Sequence, residues 1–140
     1  MALLAAVALL ASAGVVAGDS NQSPLADAGL DQRTEAGDVV RLDATGSRDP
    51  DGSVASYRWT IETPNGTTVT PACRSCGTTT FRPQRPGRYN VTVAVTDDDG
   101  ATRRDTLYLR VDRAPAPSVS LSGPVTPQII PPSAGGPNDG

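Results

Sequence analysis

The sequence predicts an all-β fold, an immunoglobulin-like β-sandwich of about seven strands. Three observations carry this. Short runs alternate apolar and polar residues with period two, clusters of turn formers separate them, and no segment after the first twenty residues has a helical period. An apolar leader helix before the sandwich and a disordered tail after it complete the expected architecture. The chain of 140 residues divides into a leader over 1–18, a polar linker over 19–23, the sandwich over 24–112 and a Pro/Gly/Ser-rich tail or linker over 113–140.

The strands follow in order. The run VVRL at 39–42 is a short strand after the turn-like Ala36-Gly37-Asp38. ATGSRDPDGS at 44–53 is a continuous stretch of turn formers. Ala55, Tyr57, Trp59 and Ile61 then alternate with Ser56, Arg58 and Thr60, which predicts a half-buried strand. Pro64-Asn65-Gly66 signals a hairpin, because Asn-Gly tolerates positive φ, and residues 67–70 form its return strand. Residues 78–81 give another short strand, and Pro86-Gly87 a turn. Tyr89, Val91, Val93 and Val95 share one face and Asn90, Thr92, Ala94 and Thr96 the other. Leu107, Leu109 and Val111 alternate with Tyr108 and Arg110 in the last strand. In a sandwich of this kind Trp59 is the core anchor between the sheets. Tyr89 takes a core and corner position where the penultimate strand starts.

The leader, MALLAAVALLASAGVVAGDS, is uncharged over residues 2–18. It reads as a secretory signal cleaved after Ala13 or Ala17, or as an uncleaved N-terminal anchor, being at the short limit for a membrane span. Either reading places the rest of the chain outside the cytoplasm: secreted or at the cell surface, and attached to the membrane only through a retained leader. The tail carries 113–140 in a composition that suits an extended, disordered linker, or the first strand of a second module.

Composition excludes several functions. The net charge of -3 leaves no basic face for nucleic acid. The absence of histidine rules out a Ser–His–Asp triad. Glu35 and Glu62 are the only glutamates available for a glycosidase-type carboxylate pair, and the aspartates are accounted for by loops. All 12 basic residues are arginine, which points to a high-GC genome or a salt-adapted, halophilic organism. Cys73 and Cys76 in CRSC are too few for zinc and precede no helix, so in an oxidising compartment they are expected to form a disulfide. Three sequons, at Asn21, Asn65 and Asn90, are candidate glycosylation sites. Arg103-Arg104 is read as the electrostatic counterweight of the acidic loop before it.

Two segments carry a resemblance. ADAGLDQRTEAGDVVRLDATGSRDPDGSVASYRW at 26–59 and RPGRYNVTVAVTDDDGAT at 85–102 look like a PKD domain, the immunoglobulin-like module of bacterial and archaeal surface proteins. The likeness spans about 24–111. Its features are an opening A-D-A-G, a D-P-D-G loop, a tryptophan on the central strand, P-G-x-Y before the penultimate strand and D-D-D-G after it. The family usually follows that tryptophan with W-D-F-G-D-G, whereas Trp59 precedes TIETPNG and an excursion holding both cysteines. That region is therefore expected to differ locally.

The resemblance implies a non-catalytic extracellular module, a spacer or an adhesion and protein-interaction domain. Its partners are other cell-surface proteins or polysaccharide, and it requires no cofactor. The alternative is an accessory domain that binds a polysaccharide or protein ligand. Tyr108, the one exposed aromatic, is a poor sugar platform. In this topology Asp27, Asp49, Asp51, Asp97, Asp98 and Asp99 collect at one pole. Turn chemistry accounts for them, since Asp bonds to nearby backbone N–H groups. Hard oxygen ligands from several loops are also what Ca²⁺ takes, and calcium is the one cofactor the pattern allows.

Overall fold

The computed structural model describes residues 20–117. The leader expected over 1–18 and the tail beyond residue 117 lie outside the described residues. Seven strands form: β1 (Gln32–Glu35), β2 (Val40–Asp43), β3 (Val54–Glu62), β4 (Thr68–Val69), β5 (Thr78–Phe81), β6 (Gly87–Asp97) and β7 (Thr102–Asp112). They make two sheets, one ordered β1-β7-β6-β3-β4 and the other β2-β5. Every pairing is antiparallel except that of β1 with β7, which is parallel in the register Gln32 to Leu109 through Glu35 to Asp112.

Period-two patterning places the core as expected. Val91, Val93 and Val95 of β6 and Leu107, Leu109 and Val111 of β7 turn inward beside Trp59 and Ile61 of β3. Val40, Leu42 and Ala44 meet them from the second sheet, and all are buried in one cluster. Trp59 is fully buried. Its indole N–H donates to the Cys76 carbonyl (2.8 Å), which satisfies the one polar atom of a buried tryptophan. Tyr89 is 3% exposed, and its hydroxyl donates to the Arg85 carbonyl (2.9 Å), a tyrosine corner at the start of β6.

The structure corrects the expected pattern in three places. β1 has no counterpart in the sequence reading; its inward residues are Gln32 and Thr34, both half-buried, so no apolar alternation marks it. Ala55 is exposed and does not share the face of Trp59. Val54 pairs with Asp97 but Ser56 pairs with Thr96, so a bulge inserts one residue and resets the phase. In the Thr63–Thr67 hairpin the positive φ falls on Gly66 (82°) alone. The Gly66 N–H donates to the Thr63 carbonyl (2.9 Å), so Pro64 and Asn65 are the central pair of a turn that Gly66 closes as a bulge. The β6–β7 turn repeats this design, with Gly100 (φ 92°) donating to the Asp97 carbonyl at 3.2 Å.

β6 and β7 run the length of the sandwich. The chain arrives at the end where β6 meets β7 through the 97–101 turn. It departs from β7 at the other end, where Val111 pairs with Gly87. The two poles are therefore distinct: an acidic one where the chain enters, and an opposite one where it leaves.

Candidate functional site

Asp97 organises the acidic pole. It ends β6, is 2% exposed and spends both carboxylate oxygens. Oδ1 accepts the backbone N–H groups of Asp99 (3.0 Å) and Ala101 (2.7 Å), and Oδ2 accepts the Asn21 amide (2.9 Å). The Asn21 bond, followed by the backbone N–H donors, holds the Asp97 carboxyl below the ordinary carboxylate range despite its burial. This residue builds the turn and also ties the incoming chain to it.

The 49–53 loop packs beside this hub. Asp51 Oδ2 accepts the Gln22 N–H (2.8 Å). Asp98 Oδ1 accepts the Ser53 N–H (3.1 Å), and the Asp98 N–H donates to the Ser53 carbonyl (3.0 Å). Asp49 differs from all of these. Both of its carboxylate oxygens are buried and neither has a hydrogen-bond partner. Burial raises its pKa most, the Asp51 side chain and then the Asp97 charge raise it further, and the Asp51 backbone N–H, near but outside hydrogen-bond geometry, offsets this in part. Gly52 makes the space: a Cβ there would stand 2.7 Å from Asp49 Oδ2 and 2.5 Å from Asp98 Oδ1. Two carboxylates from different loops thus converge over a glycine that leaves room between them.

Two of the six expected pole residues stand apart. Asp27 Oδ1 accepts the Gly29 N–H (2.8 Å), and its other oxygen lies over Gly46. Asp99 sits exposed at the turn tip. Among the described residues no group of three acidic or cysteine side chains is gathered closely enough to hold a metal ion by itself.

The family model for the PKD domain matches residues 21–111, which is the sandwich short of the last residue of β7 and includes the Asn21 that caps Asp97. The chain belongs to the PKD domain family. Among solved structures it is similar to the PKD1 domain of Vibrio anguillarum Epp, with 30% identity and a TM-score of 0.50 over 68% of this chain and 100% of that one. It is also similar to the PKD1 domain of the Vibrio cholerae metalloprotease PrtV, with 31% identity and a TM-score of 0.50 over 65% of this chain and 99% of that one. A third similar structure concerns carbohydrate-binding modules from the β-sandwich superfamily (28% identity, TM-score 0.51, 68% of this chain and 36% of that one). Comparison with curated proteins returns no match.

In this PKD domain the CRSC excursion is a closed cap. Cys73 and Cys76 form a disulfide. The Cys73 N–H donates to Thr79 Oγ1 (2.8 Å), and the Trp59 N–H donates to the Arg74 carbonyl (2.8 Å), so the loop lies along the β3 edge over the core tryptophan. The sequons differ in setting. Asn21 is committed to Asp97, and the Asn90 amide donates to Glu62 Oε2 (3.1 Å) on the outer sheet face. Asn65 is exposed at the hairpin tip, its Oδ1 accepting from the Thr67 hydroxyl (2.9 Å).

Glu35 and Glu62 lie on strands separated by β7 and β6, a backbone separation of about 14 Å, too wide for a glycosidase pair. Tyr108 is 42% exposed, but the Arg88 guanidinium covers its ring at 3.8 Å from the centroid. Arg58, Arg74 and Arg104 approach one another on the outer face only through the strand register and the disulfide loop, which no local sequence pattern shows.

Proposed function

We propose that this PKD domain is a non-catalytic extracellular spacer, a module that transmits load and holds other parts of a surface or secreted protein apart. The observation that carries the reading is the path of the chain. It enters at the acidic pole, where Asn21 and Gln22 are tied to Asp97 and Asp51, and leaves from β7 at the opposite pole. A pull on the two ends slides β1 and β7 past each other, because they are parallel neighbours. Their hydrogen bonds are then loaded together rather than one at a time. The family's use as extracellular modules agrees with this role. The test is single-molecule extension through the termini, where each domain is expected to give one cooperative unfolding event.

A second reading is favoured by one observation, the two partnerless oxygens of Asp49. In it the domain is an accessory module whose acidic pole is stiffened by calcium and which binds a polysaccharide or protein, as the similar carbohydrate-binding modules bind carbohydrate. Asp49 and Asp98, which converge over Gly52, are the side chains offered to the ion, with backbone carbonyls and water completing its six to eight oxygens. A bound cation removes the mutual repulsion and the desolvation of Asp49 together.

Thermal melts in EDTA and in millimolar Ca²⁺, with Mg²⁺ as the control, check this. A ligand that binds only the folded state raises Tm by mass action. The expected result is a calcium-specific rise that Asp49→Asn abolishes. In EDTA, Asp49→Asn is expected to melt higher than the parent at neutral pH, since it removes a buried, unpaired charge. Equal melts in EDTA and Ca²⁺ reject the calcium seat and leave the spacer reading intact.

A further inference from the structure

We propose that a cleft on the outer face of the five-stranded sheet binds an acidic polysaccharide, one that carries sulfate or carboxylate groups along its length. This adds a ligand class to the domain and does not depend on the spacer reading.

The cleft is built by register. Arg58 of β3 pairs with Ala94 of β6, and Ala94 pairs with Arg104 of β7. Two arginines therefore stand on either side of an alanine in one row, with backbones about 10 Å apart. The small central side chain leaves a trough between them. The next row is Ser56, Thr96 and Thr102, all hydroxyl-bearing. A third cation, Arg74, arrives from the disulfide-closed loop that lies along the β3 edge. The result is a cleft of about 500 Å³ with three arginines and no acid in its lining.

The charge there is uncompensated. Among the described residues the ion pairs are Arg33–Asp112, Arg41–Asp43 and Arg110–Asp112, and none uses Arg58, Arg74 or Arg104. All three are exposed. Arg104 was expected to balance the acidic turn, yet it forms no ion pair with Asp97, Asp98 or Asp99. In a chain with more acids than bases, three like charges with no counterion around one trough have an electrostatic cost that an anionic ligand reverses.

The lining selects the kind of anion. A guanidinium offers a planar fork of donors that fits carboxylate and sulfate oxygens. The Thr96 and Thr102 hydroxyls bond to each other (2.8 Å), and with Ser56 they keep free O–H and acceptor lone pairs for sugar hydroxyls. A protein partner would call for buried apolar or aromatic anchors at the centre of the contact, and Ala94 offers none. A linear acidic glycan, laid across the strands from Arg74 and Arg58 over Ala94 to Arg104, meets charges at both ends and the hydroxyl row along one side.

The test is affinity electrophoresis of the full chain at low salt, in gels carrying dextran sulfate, polygalacturonate, neutral dextran or poly-glutamate. The expected result is retardation by at least one of the two acidic polysaccharides and none by neutral dextran; which of the two retards more distinguishes sulfate from carboxylate as the recognised group. Arg58→Gln with Arg104→Gln is expected to weaken binding at least about tenfold, as for the loss of charge-assisted hydrogen bonds. Arg41→Gln with Arg82→Gln, which removes the same charge elsewhere, keeps it. Binding should fall as salt rises past about 0.15 M, where the screening length is about 8 Å. All four substitutions are at exposed positions, and a melt of each variant confirms its fold. The proposal is overturned by no retardation on either acidic polysaccharide, by equal loss in the Arg41/Arg82 control, or by tighter binding to poly-glutamate, which assigns the cleft to an acidic protein.

Discussion

Trp59→Ala is expected to leave the domain at the edge of unfolding. Trp59 is fully buried where β3 faces the second sheet, and its contacts join Val93 on one side to the disulfide loop on the other. Truncating a buried tryptophan costs about 3–5 kcal/mol through lost burial and the cavity left behind. It also strips the Cys76 carbonyl of its donor. A domain of this size has a total stability on the order of 5–15 kcal/mol, so the loss takes a large share. Chemical denaturation followed by circular dichroism measures it. Trp59→Phe, which keeps most of the ring volume but loses the indole N–H, should fall between the two. If Trp59→Ala melts like the parent, the tryptophan is not the core anchor and the sandwich is held elsewhere.

The second large effect is expected at Asp97. Asp97→Ala leaves the N–H groups of Asp99 and Ala101 and the Asn21 amide without their acceptor, and it unties the incoming chain from the pole. A fall in Tm on the order of 10 °C is expected, against almost none for Asp99→Ala at the exposed tip. The pH dependence carries the sign. Asp97 is held below its ordinary pKa in the fold, so its contribution is complete above the unfolded value of about 4 and disappears as pH falls through the lower folded value. Asp49 is raised instead, so its penalty is present at neutral pH and is relieved as pH falls through its raised value. Replacing Asp97 should therefore flatten the acid limb of the stability curve below about pH 4, and replacing Asp49 should lift the neutral plateau. An acid limb unchanged in Asp97→Ala contradicts the assignment.

Much of this was written in the sequence because it was local. The alternation of 89–95 and 107–111, the Trp59 anchor, the Tyr89 corner and the close pair of cysteines each depend on residues within one strand or one turn. What the sequence concealed depends on distant partners. β1 is polar on both faces and exists because β7, some seventy residues later, offers it an edge. Ala55 falls out of phase because a bulge opposite Asp97 adds a residue, which no alternation count reveals. The gathering of acids at one pole was anticipated, but its division was not. Asp97 is consumed by the turn, Asp27 closes a turn of its own over Gly46, and among the described residues only Asp49 has buried oxygens without a partner. The arginine cleft was hidden for the same reason, since Arg58 and Arg104 are neighbours only across the register of three strands.

If the domain is strung to bear load from one pole to the other, its resistance to mechanical unfolding differs between two directions of pull. In the first, the domain is pulled through its termini, which shears β1 against β7. In the second, it is pulled between a cysteine introduced at Arg85 and the C-terminus, which peels β6 from β7 starting at their shared end, where Gly87 meets Val111. The experiment is run with Cys73–Cys76 intact. A clearly higher unfolding force for the terminal pull than for the peeling pull is the predicted result. Equal forces, or extension through the termini without a distinct peak, contradict the spacer reading.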